Sequence, residues 1–113
     1  MDLEKIIFTI IAHSGNAKSK CFEALNAAKQ KNFSKAEELI KEAKEELLKA
    51  HHIQTEILQK EAQGQRQELN LLLIHAEDHL MNTMLAKDLI EELIEFYKIF
   101  TSNKFIERRI LND

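Results

Sequence analysis

No proline, no tryptophan, a single cysteine and two glycines occur in these 113 residues. A chain so poor in breakers has few places to turn, which excludes short-stranded, loop-rich folds and favours long helices. Cys21 has no second cysteine to pair with, so a disulfide framework is excluded and a reducing, cytoplasmic setting is expected. Long apolar runs are also missing. The stretch Ile6-Ile7-Phe8-Thr9-Ile10-Ile11-Ala12 stops at His13-Ser14, too short to span a bilayer and without a cleavage site, so it reads as a core segment. With 16 basic and 19 acidic residues the net charge is −3, and no Lys/Arg cluster is long enough to track a phosphate backbone. Nucleic acid is therefore not an expected partner. The length allows one domain with one core, which limits function to something simple or shared between chains.

What remains is helical periodicity. The first helix is expected over residues 3–29, with Asp2 as N-cap and a buried stripe Leu3, Ile7, Ile10, Ser14, Ala17, Cys21, Ala24, Ala28 advancing by threes and fours. Gly15 costs it about 1 kcal/mol relative to Ala, either as a tolerated flaw or because another backbone or a ligand comes close. Residues 30–33 form the first turn. Ser34 with Glu37 reads as a capping box opening a helix over 34–63 with the stripe Ala36, Ile40, Ala43, Leu47, Ala50, Gln54, Ile57, closed by a left-handed Gly64. A third helix over 67–100 carries a core-like stripe of Leu69, Leu72, Leu73, Ala76, Leu80, Thr83, Ile90, Ile94 and Tyr97. The rest of its surface is also apolar: Leu71, Ile74, Met81, Met84, Leu85, Leu89, Leu93, Phe96 and Phe100. A helix in a lone bundle needs one apolar stripe, so this one is expected to be buried on two sides, the second by copies of itself in a closed symmetric assembly. The tail 101–113 opens with the helix-unfriendly Thr-Ser-Asn, and resumes as a short helix through Phe105, Ile106, Ile110 and Leu111 or stays loose. The expected fold is all-α: an antiparallel three-helix bundle of spectrin-repeat-like, up-down-up hairpins.

The chemistry-bearing segment is Leu73-Ile74-His75-Ala76-Glu77-Asp78-His79-Leu80-Met81. At about 100° per residue His75, Asp78 and His79 share one side of the helix, on a face that also holds Leu71, Asn82 and Leu85. Polar groups in such a surface must be hydrogen-bonded, paired or metal-bound. Three chemistries fit the spacing. The residues can be satisfied polar groups that fix the register of a helical assembly. They can hold a transition metal, since imidazoles at i and i+4 reach one ion, with His51 and His52 as the only further imidazoles in range. Or a neutral imidazole can accept a phosphoryl group, a reaction in which catalysis is mostly positioning and charge screening. His79, Gln54 and groups near Gly15 are then candidates to hold the tautomer or the phosphoryl oxygens.

The run His75-Ala76-Glu77-Asp78-His79-Leu80-Met81 resembles the His-Ala/Gly-Gln-Asp-His-Leu-Met signature of the enzyme IIA component of the lactose/cellobiose (N,N'-diacetylchitobiose) branch of the bacterial sugar phosphotransferase system. Other blocks match in order: Ser14-Gly15-Asn16-Ala17-Lys18-Ser19 is similar to Ala-Gly-Asp/Glu-Ala-Arg-Ser, followed by Glu23-Ala24-Leu25 and Ala27-Ala28. Ala50-His51 with Gln54-Thr55 resembles Ala-His-x-x-Gln-Thr, and Glu61-Ala62-x-Gly64 resembles Glu-Ala-x-Gly, so the likeness covers about residues 3–100. The resemblance implies a cytoplasmic homotrimer of nine helices. In it His75 receives a phosphoryl group from the phosphocarrier protein and passes it to a Cys of the IIB component, the sugar being phosphorylated as the membrane IIC component imports it. His79 is implied as a supporting residue and Gln54 as a possible one. Asp78 is implied as the metal residue, three copies meeting around one ion, Mg2+. Three carboxylates facing one another across an apolar axis need a cation or a proton, and a hard oxygen-binding ion suits them better than zinc. Three departures stand out. Glu77 replaces Gln, adding a negative charge beside the site; Ser14 replaces Ala; and Asn16 with Lys18 replaces an acidic/Arg pair. Lys18 can still contact a phosphoryl oxygen, without a bidentate fork. Glu77 keeps open a second class of function, a non-catalytic trimeric interaction or metal-stabilised assembly protein.

Overall fold

The computed structural model of the chain describes residues 2–65 and 71–112, with side-chain positions as far as residue 102. Three helices follow one another: α1 Leu3–Lys29, α2 Phe33–Ala62 and α3 Leu71–Asn112. Gln67 to Asn70, where the third helix was expected to begin, lie outside the described residues.

The helix ends are built from local hydrogen bonds. The Asp2 carboxylate accepts from the Glu4 N–H at 3.2 Å and caps α1. At the other end the Asn32 N–H donates to the Ala27 carbonyl (2.9 Å) and the Lys31 N–H to that of Ala28 (2.9 Å), the paired closure in which the residue between must be left-handed. That residue is Lys31, at φ 65°, a conformation uncommon for a lysine. α2 closes the same way, with Gln65 N–H donating to Lys60 (2.8 Å), Gly64 N–H to Glu61 (3.0 Å) and Gly64 at φ 84°, as expected of it. The start of α2 corrects the capping-box reading: Asn32, not Ser34, is the N-cap, its side chain accepting from Lys35 N–H at 3.3 Å. Because the closure of α1 brings Asn32 onto the end of that helix, it is also the residue positioned to start the next.

The core is narrow and rich in alanine. Ile10, Ala17, Cys21, Ala24 and Ala28 of α1 are buried with Ala36, Ile40, Ala43, Leu47 and Ala50 of α2, and the alanines among them let two helices approach closely. α3 covers this pair with Leu73, Ala76, Leu80, Thr83, Ile90 and Ile94. Leu72, placed in that stripe from periodicity, is instead 61% exposed, and Leu69 lies outside the described residues. α2 meets α3 less extensively than α1 does. Charges strut that seam, Lys44 to Glu91 at 2.9 Å and Lys98 to Glu37.

The helix break expected at Thr101-Ser102-Asn103 is absent, and α3 continues to Asn112. Three weak helix formers in a helix this long cost only a few tenths of a kcal/mol each, about what flanking turns recover. Among the described residues no helix is long and apolar enough to cross a membrane.

Candidate functional site

Leu73, Ala76, Leu80 and Thr83 point α3 at the core, and this fixes where the intervening polar residues go. His75 is exposed and His79 half-buried on one flank of the helix, while Asp78 lies further toward solvent. The two imidazoles meet edge to face, ring centroids 4.9 Å apart and planes at 87°. That contact, one turn apart on one helix, limits the rotation of the exposed His75 ring without sealing it from solvent.

α1 forms the opposite wall of a groove of about 260 Å³ at this point. Lys18 and Phe22 line it from α1, one turn apart; His75, Asp78, His79 and Asn82 line it from α3, with Thr83 and Ala86 deeper in. The Thr83 hydroxyl oxygen is buried with no hydrogen-bond partner. The groove is therefore polar at its His75 end and more apolar where Phe22 faces Ala86. Phe22 was not anticipated as a site residue; its only signal was an aromatic on the polar side of α1, four residues after Lys18.

Gln54 does not reach this groove. Its Nε2 donates to a Glu77 carboxylate oxygen and lies 3.9 Å from Met81 Sδ, on the seam between α2 and α3. Two residues on a helix differ by about 200°, so Glu77 leaves α3 on the side away from His75. The other histidines are elsewhere. His13 Nδ1 is 2.5 Å from Glu46 Oε2, a contact that holds the Glu46 carboxyl below the usual range, and His52 Nε2 lies 3.3 Å from Glu56. His51 borders a separate hollow with Leu48, Met84 and Lys87. Among the described residues no three His, Cys, Asp or Glu side chains converge to hold an ion within the chain. Burial raises the Cys21 thiol to about 11, opposed by the Lys87 charge and reinforced by that of Glu91, so Cys21 stays a protonated core residue.

Asp78 sits in a different surface as well. Leu71, Ile74, Leu85, Leu89, Leu93, Phe96 and Phe100 are each between 44% and 80% exposed, and with Asp78 and Asn82 they form one continuous stripe along α3. Positions 71, 82 and 93, then 74, 85 and 96, then 78, 89 and 100 each repeat every eleventh residue, a spacing of about 3.67 per turn that keeps a straight or slightly right-handed seam facing one direction. Apolar exposure this continuous marks an interaction surface. Asp78 makes no ion pair or hydrogen bond among the described residues, and a lone carboxylate in such a seam fits a hard cation only if other copies add theirs.

Residues 5–98 match the model of the family described as PTS system, Lactose/Cellobiose specific IIA subunit. The lichenan-specific phosphotransferase enzyme IIA component of Bacillus subtilis is 48% identical over 91% of this chain and 94% of its own. The lactose-specific EIIA component of Staphylococcus epidermidis is 47% identical, covering 86% and 93%. In structure, the cellobiose-specific enzyme IIA from Bacillus anthracis superposes with a TM-score of 0.86 at 47% identity, over 90% of this chain and 94% of that one. The IIA(Chitobiose) of the Escherichia coli N,N'-diacetylchitobiose branch, solved in complex with HPr, superposes with a TM-score of 0.78 at 36% identity, covering 89% and 98%.

Proposed function

The chain belongs to the lactose/cellobiose-specific IIA subunit family of the sugar phosphotransferase system, and on that footing we propose that it carries a phosphoryl group on His75. The donor is the phosphocarrier protein and the acceptor a Cys of a IIB component, with a membrane IIC component downstream. The cargo pathway is uptake of a lactose-, cellobiose- or chitobiose-type disaccharide, and the protein works in the cytoplasm. One observation carries the reading: His75 is exposed at the polar end of a groove, with its ring against His79 and Lys18 on the wall opposite.

His75 acts as nucleophile through the lone pair of a neutral ring nitrogen, so it works where the imidazole is uncharged. His79 is the supporting residue, limiting ring rotation so that less orientational freedom is lost in each transfer. Gln54 supports at one remove, tying Glu77 and hence α3 to α2. Since that tie places the Glu77 charge across the helix from His75, Glu77 ceases to be a reason to favour a non-catalytic assembly protein.

The chain works as a homotrimer, three copies of the exposed α3 stripe closing on one another. Asp78 from each would hold one Mg2+ on the axis, and the ion would neutralise carboxylates that otherwise repel across an apolar seam. His75 lies about 60° round the helix from Asp78, off the axis and open to partners.

The reading is tested by supplying the protein with labelled phosphate through phosphoenolpyruvate and the upstream carriers. The wild-type chain gains acid-labile phosphate, and His75→Gln gains none while keeping its helical circular dichroism. Equal labelling of the two would end the proposal.

A further inference from the structure

Lys18 faces the groove that His75 opens into, and it is held by no carboxylate among the described residues. Several other lysines are engaged with carboxylates: Lys20 with Glu42 at 2.8 Å, Lys44 with Glu91 at 2.9 Å, Lys87 with Asp88 at 2.7 Å, and Lys98 with Glu37 and Glu95. Lys18 is thus a cation pointed at the site and free for an anion. Phe22, one turn beyond Lys18 on the same face of α1, lines the same groove.

We propose that Lys18 is a catalytic residue of the transfer, its ammonium contacting the equatorial oxygens of the PO3 group as it arrives at and leaves His75. This rests on His75 being the phosphoryl acceptor. In the forward step the donor's bond to phosphorus breaks with its electron pair staying on the donor, and the lone pair of a His75 ring nitrogen forms the new N–P bond. No oxidant and no further reactant is needed. Negative charge is spread over the three equatorial oxygens throughout, and a preorganised cation beside them lowers the barrier because it need not reorient as the group moves. Lysine supplies this as a point charge on a flexible stem. Lys18 and His75 belong to the same chain.

The test is single-turnover transfer from the phosphorylated phosphocarrier to the wild-type protein, Lys18→Met and Lys18→Arg, with helix content and sedimentation recorded for each. At saturating carrier, Lys18→Met is expected to transfer about 100-fold more slowly, the half-saturating concentration changing little, and Lys18→Arg to recover most of the rate. A Lys18→Met rate at saturation within about threefold of wild type, or a loss confined to the half-saturating concentration, would overturn the proposal, since a docking role alone predicts the latter. If the methionine variant does not fold, Lys18→Gln is read by the same two criteria. A wild-type chain that gains no phosphate removes the acceptor reading and this inference together, whereas wild-type transfer with an unaffected Lys18→Met removes this inference alone.

Discussion

At the scale of single residues, the side of α3 from which a group leaves decides what it can do. Glu77 and His75 are neighbours in sequence and are separated by the helix in space, Glu77 tied to Gln54 on α2 and His75 facing α1. Across a helix with water on both sides, a unit charge changes a reaction by about 1 kcal/mol or less. Glu77→Gln is therefore expected to leave the rate of phosphoryl gain within about threefold, measured by the same transfer assay; a tenfold acceleration would show that the carboxylate does face the site. A second residue-scale prediction concerns acid. The His13 hydrogen bond holds the Glu46 carboxyl below its ordinary value. A depressed carboxylate stabilises the fold above its unfolded-state range, and that stability is lost as pH falls through the folded value. Thermal unfolding of Glu46→Gln should thus show a protein less stable than wild type at neutral pH, with the gap closing as pH drops below about 4. A gap independent of pH would contradict the pairing.

At the scale of the elements, most of the helices were legible because their buried positions advance by threes and fours: Ile10, Ser14, Ala17, Cys21 and Ala24 in α1, and Ala36, Ile40, Ala43, Leu47 and Ala50 in α2, are all buried. The misread positions lie at ends, where several hydrogen-bond patterns compete. Ser34 offered a good cap, but the closure of α1 puts Asn32 in place first and needs a left-handed residue at Lys31. Nothing in a lysine announces that conformation. Leu72 was assigned to the core by period and is exposed near the described start of α3. In the site, the spacing of His75, Asp78 and His79 was readable from one helix, whereas the Gln54 to Glu77 contact and the Phe22 wall depend on how helices pack. The strained turn gives a prediction: Lys31→Gly relieves the left-handed penalty and should raise stability by about 0.5–1 kcal/mol, read as an increase in the melting temperature. A lower melting temperature would mean that the turn does not hold residue 31 in that conformation.

At the scale of the whole molecule, α3 has 42 residues against 27 in α1 and 30 in α2, and it bears the stripe that repeats every eleventh residue. A seam of that pitch matches copies packed side by side with little supercoiling, and Asp78 is the charged group within it. Sedimentation should show a trimer that weakens when a chelator removes divalent cations, and Asp78→Asn, which no longer needs a cation, should be indifferent to the chelator. A monomer at all concentrations would remove the assembly while leaving the groove of one chain intact. Whether His75 takes up a phosphoryl group and gives it away is decided separately from assembly. Mass spectrometry of the protein, first after incubation with phosphorylated phosphocarrier and then after addition of a IIB component, tests it directly. One phosphoryl group is expected on the peptide containing His75, lost to the IIB cysteine in the second step; phosphate on another residue, or phosphate on His75 that does not leave, would overturn carriage by His75.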